Sequence, residues 1–134
     1  MAIFKKSTNR ETGQVPVGTN HTLLLNSRGL IPVVIQEHET GQVLRLGYMD
    51  QLALEMSTRH HNVFLFRRSR QQLQRMGEKE GIEYKIKEIH LDRAKRSLLV
   101  RVLSSDSSKM KSNFKYRIYP RTAEKQNDSQ TAQN

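Results

Sequence analysis

The apolar residues of this 134-residue chain fall in short runs closed by turn chemistry, and that interruption constrains the fold more than any single motif. Leu30 to Gln36 is a β-branched run, Glu39-Thr40-Gly41 supplies a turn, and Gln42 to Met49 returns, so the pattern predicts a hairpin. Pro32 fits an edge or a strand start, because it lacks the N–H that an interior ladder position donates. Asp50 can accept amide hydrogen bonds as an N-cap, and Leu52, Ala53, Leu54 and Met56 form an apolar stripe, which predicts a helix to about Arg59. Val63 to Phe66 reads as a third strand, and Ser69 to Met76 as a loop or short helix closed by Gly77.

Ile82, Tyr84 and Ile86 share one face of an alternating pattern while Ile89 and Leu91 fall on the other, which predicts a long strand with a bulge near Lys87. Leu98 to Leu103 reads as a strand, and the alternation of Phe114, Tyr116 and Ile118 predicts a last one before Pro120. Six strands and one clear helix give a strand-dominated α+β domain. Residues 26–120 are expected to form it, between a flexible N-terminal arm, 1–25, and a disordered tail, 121–134, that carries no large apolar residue.

Lysine and arginine outnumber aspartate and glutamate by 23 to 13, so anionic partners such as phosphates or nucleic acid are favoured on electrostatic grounds. The absence of cysteine excludes disulfides, thiolate metal ligands and cysteine nucleophiles. No apolar run is long enough for a signal peptide or a membrane span, so the expected location is cytoplasmic, with no membrane partner.

Gly29-Leu30-Ile31-Pro32, Glu39-Thr40-Gly41-Gln42-Val43-Leu44, Gly47-Tyr48-Met49-Asp50, Ala53-Leu54, Ser69-Arg70, Leu73 and Gly77-Glu78 occur in this order at tight spacing. As an ordered series they resemble the phosphoribosyl-AMP cyclohydrolase family of histidine biosynthesis, over roughly residues 28 to 103. The resemblance implies that family's fold, an intertwined homodimer with shared sites, and a purine-ring hydrolysis that uses zinc and magnesium.

The resemblance also locates a departure. The family's Asp-Cys-Asp-Gly-Asp segment, whose aspartates hold magnesium and whose cysteine holds zinc, falls on Asp92-Arg93-Ala94-Lys95-Arg96. Only Asp92 survives. Its Cys-His-Thr-Gly segment falls near Lys109-Met110-Lys111-Ser112, and the following Ser-Cys near Lys115-Tyr116, without cysteine or histidine. A protonated lysine is no metal ligand, and magnesium requires several hard oxygen donors, so no metal cofactor is expected. Arg93, Arg96 and Lys109 then become candidates for binding phosphate where metal charge stood, against the simpler reading of a solvated basic face.

By the same resemblance, Arg67, Ser69, Arg70 and Glu78 lie near the substrate phosphoribosyl groups, with Arg67 in place of a serine. His60-His61 reads as a helix end, His38 as a turn residue and His90 as a strand-face residue. No acid–base pair is assignable, and the catalytic residues stay unknown. Three functions compete: a degenerate cyclohydrolase-like protein binding a purine nucleotide or other phosphorylated anion, an active hydrolase with substitute ligands Asp92, His90 and Glu88, and a basic RNA-associated or assembly subunit.

Overall fold

The computed structural model describes residues 13–18 and 20–121; the expectations for the first twelve residues and for the tail beyond 121 lie outside that range. Its centre is a mixed four-stranded sheet in the order β4-β3-β8-β7, formed by β3 (Ile31–Glu37), β4 (Val43–Met49), β7 (Tyr84–Leu91) and β8 (Leu98–Ser104). Two separate hairpins flank it: β1 (Gln14–Val17) with β2 (His21–Leu24), and β5 (Phe64–Arg67) with β6 (Gln72–Arg75). The α+β, strand-dominated reading stands, with one α-helix, α1 (Gln51–His60), and eight strands among the described residues.

The central pairing is parallel, from Val33 opposite Leu98 to Glu37 opposite Val102, while β4 and β7 add antiparallel strands outside it. Ile31, Val33, Ile35, Val100 and Val102 have no exposed surface, and together with Leu98 they supply the core face. Each buried aliphatic side chain of this size contributes roughly 1.5–3 kcal/mol of transfer free energy. Pro32 fits because it precedes the point where β3 begins to pair with β8. The β7 register shifts between Ile86 and Glu88, which is the bulge expected at Lys87.

The helix starts where expected: Asp50 accepts a 2.8 Å hydrogen bond from Ala53 N. It ends at His61, whose φ of 58° gives a left-handed cap, so the second histidine of the pair does terminate the helix. Buried Ser57 then ties α1 to β5, its hydroxyl accepting from Phe64 N at 2.8 Å and donating to Phe64 O at 3.2 Å. Gly47 permits the β5–β6 hairpin to lie close over β4, since a side chain there would meet Leu65 Cδ1 at 3.1 Å. Among the described residues no helix is long and apolar enough to cross a membrane.

Three expectations need correction. Residues 14–24, expected within a flexible arm, form the β1–β2 hairpin, with Val15 and Leu23 in the core and Leu24 N donating to Lys95 O at 2.8 Å. A two-residue apolar anchor was enough to hold a segment whose composition is polar. The stretch 69–76, expected as loop or short helix, contains β6, because Gln72–Arg75 completes a ladder that β5 cannot satisfy alone. The expected strand at 114–118 is absent: Phe114, Tyr116 and Ile118 are exposed by 62%, 87% and 88%, and the segment pairs with no strand among the described residues.

The β3–β4 connection is organised by one carboxylate. Glu37 is buried, and its Oε1 accepts from Glu39 N at 2.9 Å, Thr40 N at 2.6 Å and Thr40 Oγ1 at 2.8 Å. The Thr40 backbone N–H is the main reason its pKa lies below the usual carboxylate range, overcoming the opposing effect of burial. Such a group stabilises the fold above its ordinary pKa, and that stabilisation is lost as the pH falls through the depressed value. Glu37→Ala is therefore expected to cost about 1–3 kcal/mol near neutrality. Urea unfolding should show the gap from wild type narrowing in strong acid; a gap independent of pH would refute the ionic account.

Candidate functional site

Asp92, the one carboxylate retained from the family's magnesium segment, opens the turn from β7 to β8. Its Oδ1 accepts from Arg96 N at 2.8 Å and from Ser97 N at 3.1 Å, and its carbonyl accepts from Lys95 N at 3.0 Å. Lys95 takes a left-handed φ of 65° to close the turn. The Arg96 backbone N–H is the chief cause of a pKa below the ordinary aspartate range. One oxygen of the side chain that sequence alone offers as a residual metal ligand is thus committed to local backbone.

Arg93 and Lys95 project from this turn into a cleft of about 1330 Å³, walled by the β1–β2 hairpin, α1 and the end of β7. Val15, Val17, Leu54 and Leu91 give it apolar walls, and His21, Glu55 and His90 add polar groups. Arg96 is exposed on the same turn and does not line that cleft.

A second, smaller cleft of about 220 Å³ lies between β4, β5, β6 and the loop that follows β6. Arg67 and Glu78 line it, joined by Arg45, Arg75, Lys79 and Glu80. Ser69 and Arg70 do not: they sit exposed at the tip of the β5–β6 hairpin, where Arg70 N donates to Arg67 O at 3.2 Å. Arg68, next to them, stacks over the Tyr48 ring at 4.1 Å from its centroid, a cation–π contact that pins the hairpin to β4. Gly77 is required at the far end, since its φ is +87° and a side chain would meet Ile82 O at 2.6 Å.

Lys109 ends a single 3-10 turn, Ser107–Lys109, capped by Asp106. It is exposed and lines neither cleft. The turn bearing Arg93 and Arg96 precedes β8, whereas Lys109 follows it, so the length of a seven-residue strand separates them. At about 3.3 Å per residue that is roughly 20 Å or more. Within one chain the expected joint pocket of Arg93, Arg96 and Lys109 is not assembled; the residues are distributed over the two ends of the sheet.

The substitute-ligand reading meets a different obstacle. Glu88 Oε1 lies 2.8 Å from His90 Nε2 and 3.5 Å from Arg101 Nη1, and its Oε2 lies 3.4 Å from His38 Nε2. The hydrogen bond with His90 is the first cause of its pKa below the usual carboxylate range. An arginine already shares this carboxylate, and Asp92 is turned into its own loop. Among the described residues no group of three histidines, aspartates or glutamates is placed to hold a metal. Zinc and magnesium, which the family resemblance implies, therefore find no fitting donor set among the described residues.

Sequence reasoning missed Arg45. Its position opposite the fully buried Ile35 turns it toward the core face of the sheet, and the signal was a lone arginine inside Val43-Leu44-Arg45-Leu46.

A strand-dominated α+β domain with two arginine-bearing clefts is the class of protein that these features define. The profile of the family described as Phosphoribosyl-AMP cyclohydrolase matches residues 45–110, from β4 to just past the 3-10 turn. Curated relatives agree. The "Histidine biosynthesis bifunctional protein HisIE" of Shewanella oneidensis is 49% identical over 75 residues, 56% of this chain and 36% of that protein. Its counterpart in Staphylococcus epidermidis is 34% identical over 107 residues, 72% of this chain and 51% of that protein. The "Phosphoribosyl-AMP cyclohydrolase" of Nitrosococcus oceani is 48% identical over 67 residues, 50% of this chain and 51% of that protein. Over residues 45–110, just under half of its length, the chain matches the phosphoribosyl-AMP cyclohydrolase family. It spans between about a third and half of the length of these relatives.

Asp92→Ala should accelerate amide hydrogen exchange at Arg96 and Ser97, whose N–H groups lose their acceptor, while leaving the metal content of the purified protein unchanged. Unaltered exchange at those two amides would show that the carboxylate is not holding the turn.

Proposed function

We infer that this chain is a phosphoribosyl-AMP cyclohydrolase-like protein that has lost metal-dependent ring hydrolysis and retains binding of a phosphorylated nucleotide or related anion, as a homodimer. The observation that carries this reading is the fate of Asp92. Its carboxylate is hydrogen-bonded within the β7–β8 turn, with Arg93 and Arg96 beside it where the family has a cysteine and an aspartate.

Hydrolysis of a purine ring at neutral pH needs a hydroxide, and in this family a metal would supply it by lowering the pKa of bound water. A guanidinium cannot substitute, because it offers charge and N–H donors but no vacant orbital. It can hold phosphate oxygens through paired hydrogen bonds. Arg93 and Lys95 supply cations at the larger cleft, whose apolar walls suit a nucleobase and ribose. Arg67 carries the phosphate role that the resemblance suggests for the β5–β6 region, with Glu78 beside it, whereas Ser69 and Arg70 are exposed at the hairpin tip.

Two exposed surfaces support the dimer. The outer face of the central sheet presents Leu46, Val34 and Leu99 in one row, with Leu46 exposed by 51%. Phe114, Tyr116 and Ile118 form an exposed apolar series beyond it. A second copy would cover such area, and a cytoplasmic location accords with this function.

The test combines three measurements on the full chain. Elemental analysis after extensive dialysis is expected to find zinc and magnesium well below one equivalent. Incubation with phosphoribosyl-AMP is expected to yield no ring-opened product, and equilibrium dialysis is expected to show AMP binding that weakens with salt. Stoichiometric metal with turnover would replace this reading with that of an active hydrolase using substituted ligands. Salt-sensitive RNA binding without AMP affinity would replace it with that of an RNA-associated subunit.

A further inference from the structure

We propose that the small cleft between β4, β5 and β6 is a binding site for one phosphate-class dianion, held by Arg45, Arg67 and Arg75. The proposal rests on the anion-binding reading above and deepens it: it adds Arg45 and Arg75, and places the contact in the cleft instead of at the exposed tip with Ser69 and Arg70.

Three observations converge. The first is charge. Arg45, Arg67, Arg75 and Lys79 line the cleft against Glu78 and Glu80, a surplus of two positive charges. The carboxylates do not neutralise the arginines by contact, since every side-chain ion pair found among the described residues involves Glu88, on another part of the sheet.

The second is how the guanidinium groups are held. Arg67 Nη1 donates to the Gln74 side-chain oxygen, and Arg75 Nη1 donates to Ile82 O at 2.8 Å. Neutral acceptors thus orient both groups while leaving most of their N–H donors unused. Arg45 makes no hydrogen bond or ion pair among the described residues, although it is half-buried on the core side of β4. Burial first, and then the nearby Arg67 charge, pull its pKa downward, with the Glu80 charge opposing them in part; a guanidinium stays protonated, so Arg45 and Arg67 remain two like charges side by side.

The third is size. About 220 Å³ is roughly seven waters' share of liquid volume, enough for a tetrahedral oxyanion and below the usual range for a whole small-molecule ligand. A phosphate group fits; a nucleoside does not. The nucleoside of a nucleotide bound here would extend out of the cleft.

The test titrates the full chain with inorganic phosphate and, separately, with AMP, at constant ionic strength set with chloride, using calorimetry and thermal unfolding. The variants are Arg45→Met, which keeps an unbranched stem and removes the guanidinium charge, and Arg67→Ser. For Arg45→Met the expected result is at least a tenfold loss of phosphate affinity, with an unfolding temperature without ligand equal to or above that of wild type because the repulsion is gone. Arg67→Ser should lose affinity similarly and stands as the decisive variant if Arg45→Met does not fold. Phosphate affinity lost with either variant while AMP fails to bind wild type would leave the triad standing and sink the nucleotide reading. Phosphate and AMP binding that both variants leave unchanged would overturn the triad and spare the nucleotide reading. Failure of inorganic phosphate to bind wild type also overturns the triad.

Discussion

Everything in this domain is hung on the parallel ladder between β3 and β8, which joins residues about sixty-five positions apart and places Val33, Ile35, Val100 and Val102 in the same buried layer. Loop closure of that length must be offset before any contact between the strands is gained, so the pairing depends on continuous aliphatic burial along both strands. Once it is made, the remaining geometry follows with little freedom. β4 can only add outside β3 and β7 only outside β8. The β7–β8 turn must then fall at one end of the sheet, and the segment after Ser104 at the other.

That topology decides what the basic residues can do together. Arg93 and Lys95, at the turn, face the apolar cleft under the β1–β2 hairpin, whereas Arg45, Arg67 and Arg75 gather where the β5–β6 hairpin closes over β4. The second group is possible because Gly47 removes a side chain between the two layers and Gly77 turns the chain back sharply enough for Arg75 to reach Ile82 O. Backbone constraints at two glycines thus create an arginine cluster that no contiguous motif encodes.

Much of the fold was legible in the sequence because its signals are local. Asp50 as N-cap, Glu39-Thr40-Gly41 as turn and the change of face near Lys87 each depend on a few neighbouring residues, and each appears in place. The failures are non-local. Gln72–Arg75 looks like a loop until β5 lies alongside it, and the β1–β2 hairpin looks like a mobile arm until Leu23 reaches the core and Leu24 meets Lys95. Phe114, Tyr116 and Ile118 alternate as a strand would, but alternation supplies no partner, and within one chain they stay exposed. The candidate site divides in the same way. Arg67 and Glu78 do share a cleft, while grouping Arg93, Arg96 and Lys109 required a proximity that the length of β8 does not provide.

A half-buried arginine opposite Ile35 is a poor choice for stability alone. The row across the sheet at that level continues through Val100 and Ile89, both apolar, and a methionine or leucine would complete it without desolvating a charge. Placing a second guanidinium on β5 beside it compounds the cost. Cations that nearby carboxylates do not contact, two of them held by neutral acceptors in a small polar cleft, are the arrangement on which the proposed anion site rests. The same chemistry marks the limit of what such a site can accomplish. Guanidinium groups stabilise an anion by charge and by directed N–H bonds, but they leave the pKa of water close to its bulk value, which is why the proposed function pairs anion binding with loss of hydrolysis through a metal-bound hydroxide.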